Sequence, residues 1–253
     1  MLRAYFLLCL SLLMLASAPR GAAAGLIVSA AISLKESFQR IAREFEKAHR
    51  QYQVVLNFAS SGYLQRQIEQ GAPVDVFASA AVRQMDALEK AKFLHPGTRR
   101  IFATNRIVLV RPKGGALVTS FSALGGGFQG RLVIGNPVHV PVGFYAKQAL
   151  ESLGYWKGLQ PDLILADHVR QVLDYVARGE VDAGIVYYTD WIQAKDAVEV
   201  VGEPPSESHK PIEYPIAVIA GTRFLQGAAS FVRFILGPKS QSILARAGFG
   251  SPP

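Results

Sequence analysis

Cysteine is nearly absent from this 253-residue chain: Cys9 stands alone, inside an apolar run near the N-terminus. No disulfide, thiolate nucleophile or cysteine-metal site is therefore expected in the body of the protein. Histidine is sparse as well. His49, His95, His139, His168 and His209 stand far apart, in neither an HExxH arrangement nor another metal-ligand spacing, which points to structural or surface roles for all five. Ser60 and Ser61 lack the Gly-x-Ser-x-Gly elbow of a serine hydrolase. Gly125-Gly126-Gly127 lacks the Gly-Lys-Ser/Thr ending of a nucleotide phosphate loop. No enzyme and no cofactor are expected. Basic runs are also missing: the formal charge is +8, but Lys and Arg are scattered one or two at a time. That distribution argues against nucleic acid and for a solvated basic surface with a long-range attraction for anions.

What the chain does have begins with a leader. Met1 and Arg3 precede the apolar run Leu7 to Leu15, and small residues follow, ending in Ala22-Ala23-Ala24. Residues 1–24 read as a secretory signal peptide, with cleavage before Gly25 favoured over cleavage after Ala18. The stretch from Tyr5 to Ala18 is short for a membrane span, which needs about 20 apolar residues. Cys9 lies too early for a lipoprotein cysteine, so a soluble exported protein is expected.

From Gly25 onward, short apolar runs alternate with segments that are apolar at helical spacing, the pattern of an α/β fold. Strands are predicted at Leu26–Ala31, Val54–Phe58 and Val74–Ala78, with helices after each, including Tyr63–Gln70 and Val82–Ala91. Arg106–Arg111 reads as a strand with no helix behind it, and the glycines that follow mark loops. A second series continues with strand Leu132–Gly135, helix Phe144–Leu153, strand Leu163–Leu165, helix Val169–Arg178 and strand Ala183–Tyr187. Strand Ile216–Ala220 and helix Ala228–Leu236 close the chain. The expected architecture has two lobes, each a mostly parallel sheet flanked by helices, joined by two hinge crossings near 106 and Tyr214. Lobe 1 comprises 25–105 and 214–253, and lobe 2 comprises 106–213. Such paired crossings suit hinge closure.

Five segments sit where parallel sheets bind ligands, beyond the carboxyl ends of strands. Ser33-Leu34-Lys35-Glu36 has the form of a capping box, and Ser60-Ser61-Gly62 opens a helix after a strand. Pro137 to Phe144 is a stiff loop opening onto a helix with no acid in its first turn; Asp167 is placed to cap the helix from Val169; Gly184 to Tyr187 is a strand ending in a phenol. Each hydroxyl serves equally as a cap or as an anion donor, since helix N-terminal amides and their dipole favour negative charge. Together they offer neutral donors and no cation pair. A cage of that kind suits a fully ionised anion and has no acceptor for the proton of phosphate.

These segments also carry a resemblance. Ser29-Ala30-Ala31-Ile32-Ser33-Leu34, Phe58-Ala59-Ser60-Ser61, Gly71 to Phe77, Pro137 to Lys147 and Gly184-Ile185-Val186-Tyr187 resemble, in order, the bacterial periplasmic molybdate-binding proteins of ABC transporters, with their type II periplasmic-binding-protein fold. The resemblance implies a molybdate or tungstate oxyanion held between the lobes, the molybdenum bound as oxyanion and not as a free metal ion. By motif position it implies the hydroxyls of Ser33 and Ser61, the backbone amides of Val142 and Val169, and the Tyr187 phenol as ligand donors. It further implies a periplasmic monomer that delivers its anion to an inner-membrane permease with its ATPase; sulfate or another small oxyanion is the alternative. Two positions depart from the family pattern: Ile32 where many relatives carry a small residue, and Gly62 where a third serine can occur.

Overall fold

The central apolar runs become strands whose side chains are covered on both faces, and the segments between them become helices because their apolar positions fall on one side. The computed structural model describes residues 24–253. The expected signal peptide lies outside the described residues, except that Ala24 begins the first strand. In chain order the first elements are β1 (Ala24–Ala31), α1 (Lys35–Ala48), β2 (Tyr52–Ala59), α2 (Ser61–Glu69), β3 (Val76–Ala78), α3 (Val82–Lys90) and β4 (Arg100–Asn105). There follow β5 (Ile107–Pro112), β6 (Leu132–Gly135), α4 (Pro141–Ser152), α5 (Trp156–Leu159), β7 (Ile164–Ala166), α6 (Val169–Ala177), β8 (Ala183–Tyr187) and α7 (Tyr188–Ile192). The last are β9 (Val198–Gly202), β10 (Ile212–Val218), α8 (Leu225–Leu236) and α9 (Pro238–Arg246).

Two five-stranded sheets result, ordered β2-β1-β3-β10-β4 and β7-β6-β8-β5-β9. Strands β2, β1 and β3 pair in parallel, as do β7, β6 and β8. One strand in each sheet runs against its neighbours: β10 against β3 and β4, β5 against β8 and β9. The chain leaves the first sheet across Arg106, between β4 and β5. It is back by Ile212, which pairs with Asn105, so the return lies just ahead of the crossing expected at Tyr214.

The C-terminal helices fasten to the first sheet through aromatic packing. Phe38 and Phe45 of α1 are fully buried and meet the Phe231 ring of α8 at centroid separations of 6.2 and 5.2 Å. Burying such a side chain is worth about 1.5–3 kcal/mol, enough to bind α8 to a lobe begun 200 residues earlier in the chain. Five elements are not expected from the pattern: β4, β9 and the helices α5, α7 and α9. Helix α4 also begins at Pro141, three residues before the expected start at Phe144.

Candidate functional site

Four helical starts meet between the two sheets. From the first sheet come the 3-10 turn Ile32–Leu34 leading into α1, and Ser61 opening α2; from the second come Pro141 opening α4 and Val169 opening α6. The first N–H groups of a helix have no acceptor within it, so each start presents bare donors and the positive end of its dipole. Pro141 at the first position of α4 has no N–H, which makes Val142 the first amide donor there. Gly143 permits that placement: a Cβ on it would stand 1.7 Å from the carbonyl oxygen of Gly135, so α4 rests its backbone against the end of β6.

All five residues expected to hold the anion line one small cavity: Ser33, Ser61, Val142, Val169 and Tyr187. None is more than 5% exposed. Ala31, Ile32, Ser60, Ala80, Val140 and Pro141 complete the lining, and no charged side chain contributes among the described residues. The room open to the centre of a water-sized sphere is about 10 Å³, roughly what one water needs, so the lobes stand nearly in contact around it. Sugars and peptides occupy sites of a few hundred Å³ and more. Among the described residues, no cluster of three or more His, Cys, Asp or Glu is placed to hold a metal ion.

Hydrogen bonds leave both serine protons for the cavity. The Ala80 amide donates to Ser61 Oγ at 3.0 Å, so the serine oxygen is already an acceptor and its own O–H is free to donate. Ser33 Oγ lies 3.1 Å from the Tyr214 hydroxyl, and Asn105 Nδ2 donates to that phenol at 3.2 Å. The chain is satisfied when the phenolic proton goes to Ser33 and the serine proton to the cavity. Tyr187 OH donates to the carbonyl of Ala80 at 3.2 Å, across the cleft. Burial pushes the Tyr187 phenol well above the usual tyrosine range, with Tyr214, Tyr145 and Asp190 adding to the rise, so it remains a neutral donor.

Other contacts hold the two sides together. Gly62 N donates to the His139 carbonyl at 3.0 Å, and Arg83 Nη2 donates to the Val138 carbonyl at 2.8 Å. A Cβ on Gly62 would meet that same His139 oxygen at 2.5 Å, so the glycine that departs from the family pattern sits where the lobes touch and not among the donors. Burial, then the charge of Arg66, lowers the His139 pKa against the opposing pull of Asp167; its ring packs edge-on against Tyr63. Ile32 is half-buried at the cavity wall.

Three local expectations are corrected. The capping box at Ser33–Glu36 does not form, because Ser33 lies inside a 3-10 turn with its hydroxyl on Tyr214 and Glu36 turns to Arg170. The cap of α6 is His168 and not Asp167: His168 has the extended backbone of an N-cap, and its Nδ1 accepts from the Gln171 amide at 3.0 Å. Ser60 makes no cap bond either. Its Oγ is buried at the cavity without a hydrogen-bond partner. Ala80, Asn105 and Tyr214, which orient the serine hydroxyls, were not foreseen; only contacts far apart in sequence reveal them.

Comparison with known proteins gives the family and the fold. The family model described as bacterial extracellular solute-binding protein matches residues 26–250. The molybdate-binding protein ModA of Escherichia coli is 42% identical over 229 residues, covering 88% of this chain and 87% of that protein. The structure of the Azotobacter vinelandii periplasmic molybdate-binding protein matches with a TM-score of 0.81 at 28% identity, over 90% of this chain and 100% of that one. The sulfate-binding protein SubI of Mycobacterium tuberculosis shares the fold, with a TM-score of 0.76 at 17% identity over 89% of this chain and 86% of its own.

Proposed function

The chain belongs to the bacterial extracellular solute-binding proteins, and we propose that it captures molybdate, with tungstate as an equivalent ligand, between its two lobes for delivery to an ABC permease and its ATPase. It is a binding protein and not an enzyme. The observation that carries the reading is the set of buried neutral donors from both sheets around one small cavity. Ser33 and Ser61 supply hydroxyls from the first lobe, Val142 and Val169 supply amides from the second, and Tyr187 supplies its phenol by turning its one proton from the Ala80 carbonyl to the anion. Relatives that bind molybdate by name support the choice of anion. The periplasmic relatives, and the leader expected at residues 1–24, support the periplasm as its place of work.

The chemistry of the donor set narrows the ligand. Hydrogen bonds to a charged group are worth about 1.5–3 kcal/mol each, so several converging donors hold a dianion tightly without a cation. An oxyanion that keeps a proton at neutral pH needs an acceptor, and no carboxylate lines the cavity among the described residues. Phosphate is disfavoured on that ground. Sulfate is fully ionised too, so its discrimination from molybdate rests on size, which competition measures.

Calorimetric titration of the exported form with molybdate, tungstate, sulfate and phosphate tests the proposal. Saturable binding of molybdate and tungstate is expected, with sulfate in large excess failing to displace either. Tighter binding of sulfate than of molybdate would move the protein to the alternative ligand class.

A further inference from the structure

We propose that Glu36, Arg170 and Asp190 form an ionic latch between the lobes that acts on the closed state alone and slows release of the anion; the inference rests on the binding function above. Arg170 is the second residue of α6, next to Val169. Its Nε lies 2.7 Å from Asp190 Oδ1, and its Nη2 lies 2.6 Å from Glu36 Oε2. Asp190 is fully buried, whereas Glu36 is about a third exposed at its side chain, 37%.

The two contacts differ in kind. Arg170 and Asp190 both belong to the second lobe, and a fully buried carboxylate without a counter-charge costs several kcal/mol. That partner keeps the guanidinium in place whether the lobes are apart or together. Its Nη2 is the group that Glu36 meets, reaching it from α1 of the first lobe only when the lobes close. The charge pair across the cleft therefore adds to the closed form and to nothing else.

The placement relative to the donors strengthens the case. Glu36 follows Ser33 by three residues, Arg170 follows Val169 by one, and Asp190 follows Tyr187 by three. One guanidinium thus ties together the segments that carry three of the five donors. None of the three charged groups lines the cavity, so they do not contact the ligand.

Substitution of Arg170 strands the Asp190 carboxylate in the interior and confounds latch with fold, so the test is made on Glu36→Gln. Wild-type and variant are loaded with labelled molybdate and chased with unlabelled molybdate at low salt. Release is expected about fivefold faster from the variant, the scale of a partly exposed ion pair. The association rates and the ligand-free melting temperatures of the two proteins should coincide, because the pair forms only on closure. A release ratio near one, or an association rate that changes as much as the release rate, overturns the latch while leaving the binding function intact. A wild-type protein that retains no molybdate overturns the function and the latch together.

Discussion

Ser61→Ala separates what the Ser61 hydroxyl does for the fold from what it does for the ligand. Ser61 is completely buried, and its oxygen accepts the Ala80 amide at 3.0 Å. Removing the oxygen leaves a buried N–H with no acceptor, a loss of about 1–3 kcal/mol in stability. For a protein of this size each kcal/mol moves the melting temperature by about 2–4 °C, so ligand-free melting should drop by roughly 2–12 °C. The proton of the same hydroxyl is the one assigned to the anion. Its loss removes a charge-assisted bond of about 1.5–3 kcal/mol, which weakens affinity by roughly 10- to 150-fold.

The two effects have different readouts. Scanning calorimetry without ligand reports the first, and titration calorimetry with molybdate, well below the melting range, reports the second. Binding measured on folded protein does not carry the stability loss, because nearly all molecules remain folded in both variants. A lowered melting temperature with unchanged molybdate affinity would refute the donor assignment. In that event the hydroxyl serves only as the acceptor for Ala80.

Two further outcomes follow from other parts of the structure. In Gly143→Ala the new Cβ would have to move away from the Gly135 carbonyl by well over an ångström; overpacking of this sort costs about 1–3 kcal/mol or more. Thermal melting should fall and molybdate affinity with it, because the Val142 amide rides on the displaced helix start; an unchanged titration would show that this amide is not a donor. Alkaline pH supplies the second outcome. Burial raises the phenols of Tyr145, Tyr187 and Tyr214 above their ordinary value of 10.0, so the unfolded chain gives up protons that the folded one keeps. Stability is then full below about pH 10 and is lost above it at up to roughly 4 kcal/mol per pH unit for the three groups together. Melting followed from pH 9 to pH 11 checks the sign, and a flat profile above pH 10 contradicts it.

The sequence shows more of the sheets than of the contacts between them. Strands with continuous apolar runs, such as Leu132–Gly135 and Ala183–Tyr187, are buried on both faces and announce themselves by composition. The two strands that periodicity misses, β4 and β9, lie at the edges of their sheets. There one flank faces solvent, and Arg100, Thr104, Asn105 and Glu199 break the apolar run. The α6 cap illustrates a different limit. Asp167 and His168 are adjacent acceptors, and only the extended backbone at His168 selects it over the aspartate. Helix starts rich in hydroxyl and small residues point to the donors, because that chemistry is local. The groups that orient those donors are remote in the chain: Ala80 is 19 residues from Ser61, and Tyr214 is 181 residues from Ser33.

Neutral donors have a consequence for selectivity that a cationic site would not share. A buried arginine or lysine would attract any anion from one lobe alone, and closure would add little discrimination. Here the donors are divided, with Ser33 and Ser61 on one lobe and Val142, Val169 and Tyr187 on the other. A ligand shifts a hinge equilibrium only by its difference in affinity for the two states. An anion large enough to meet both groups gains the remaining hydrogen bonds on closure, while a smaller one gains only part of them at the same conformational cost. Recognition and closure are therefore the same set of bonds counted once. The ion pair of Arg170 with Glu36 adds to the closed state whichever anion is inside, so it changes how long the ligand stays and not which ligand is chosen.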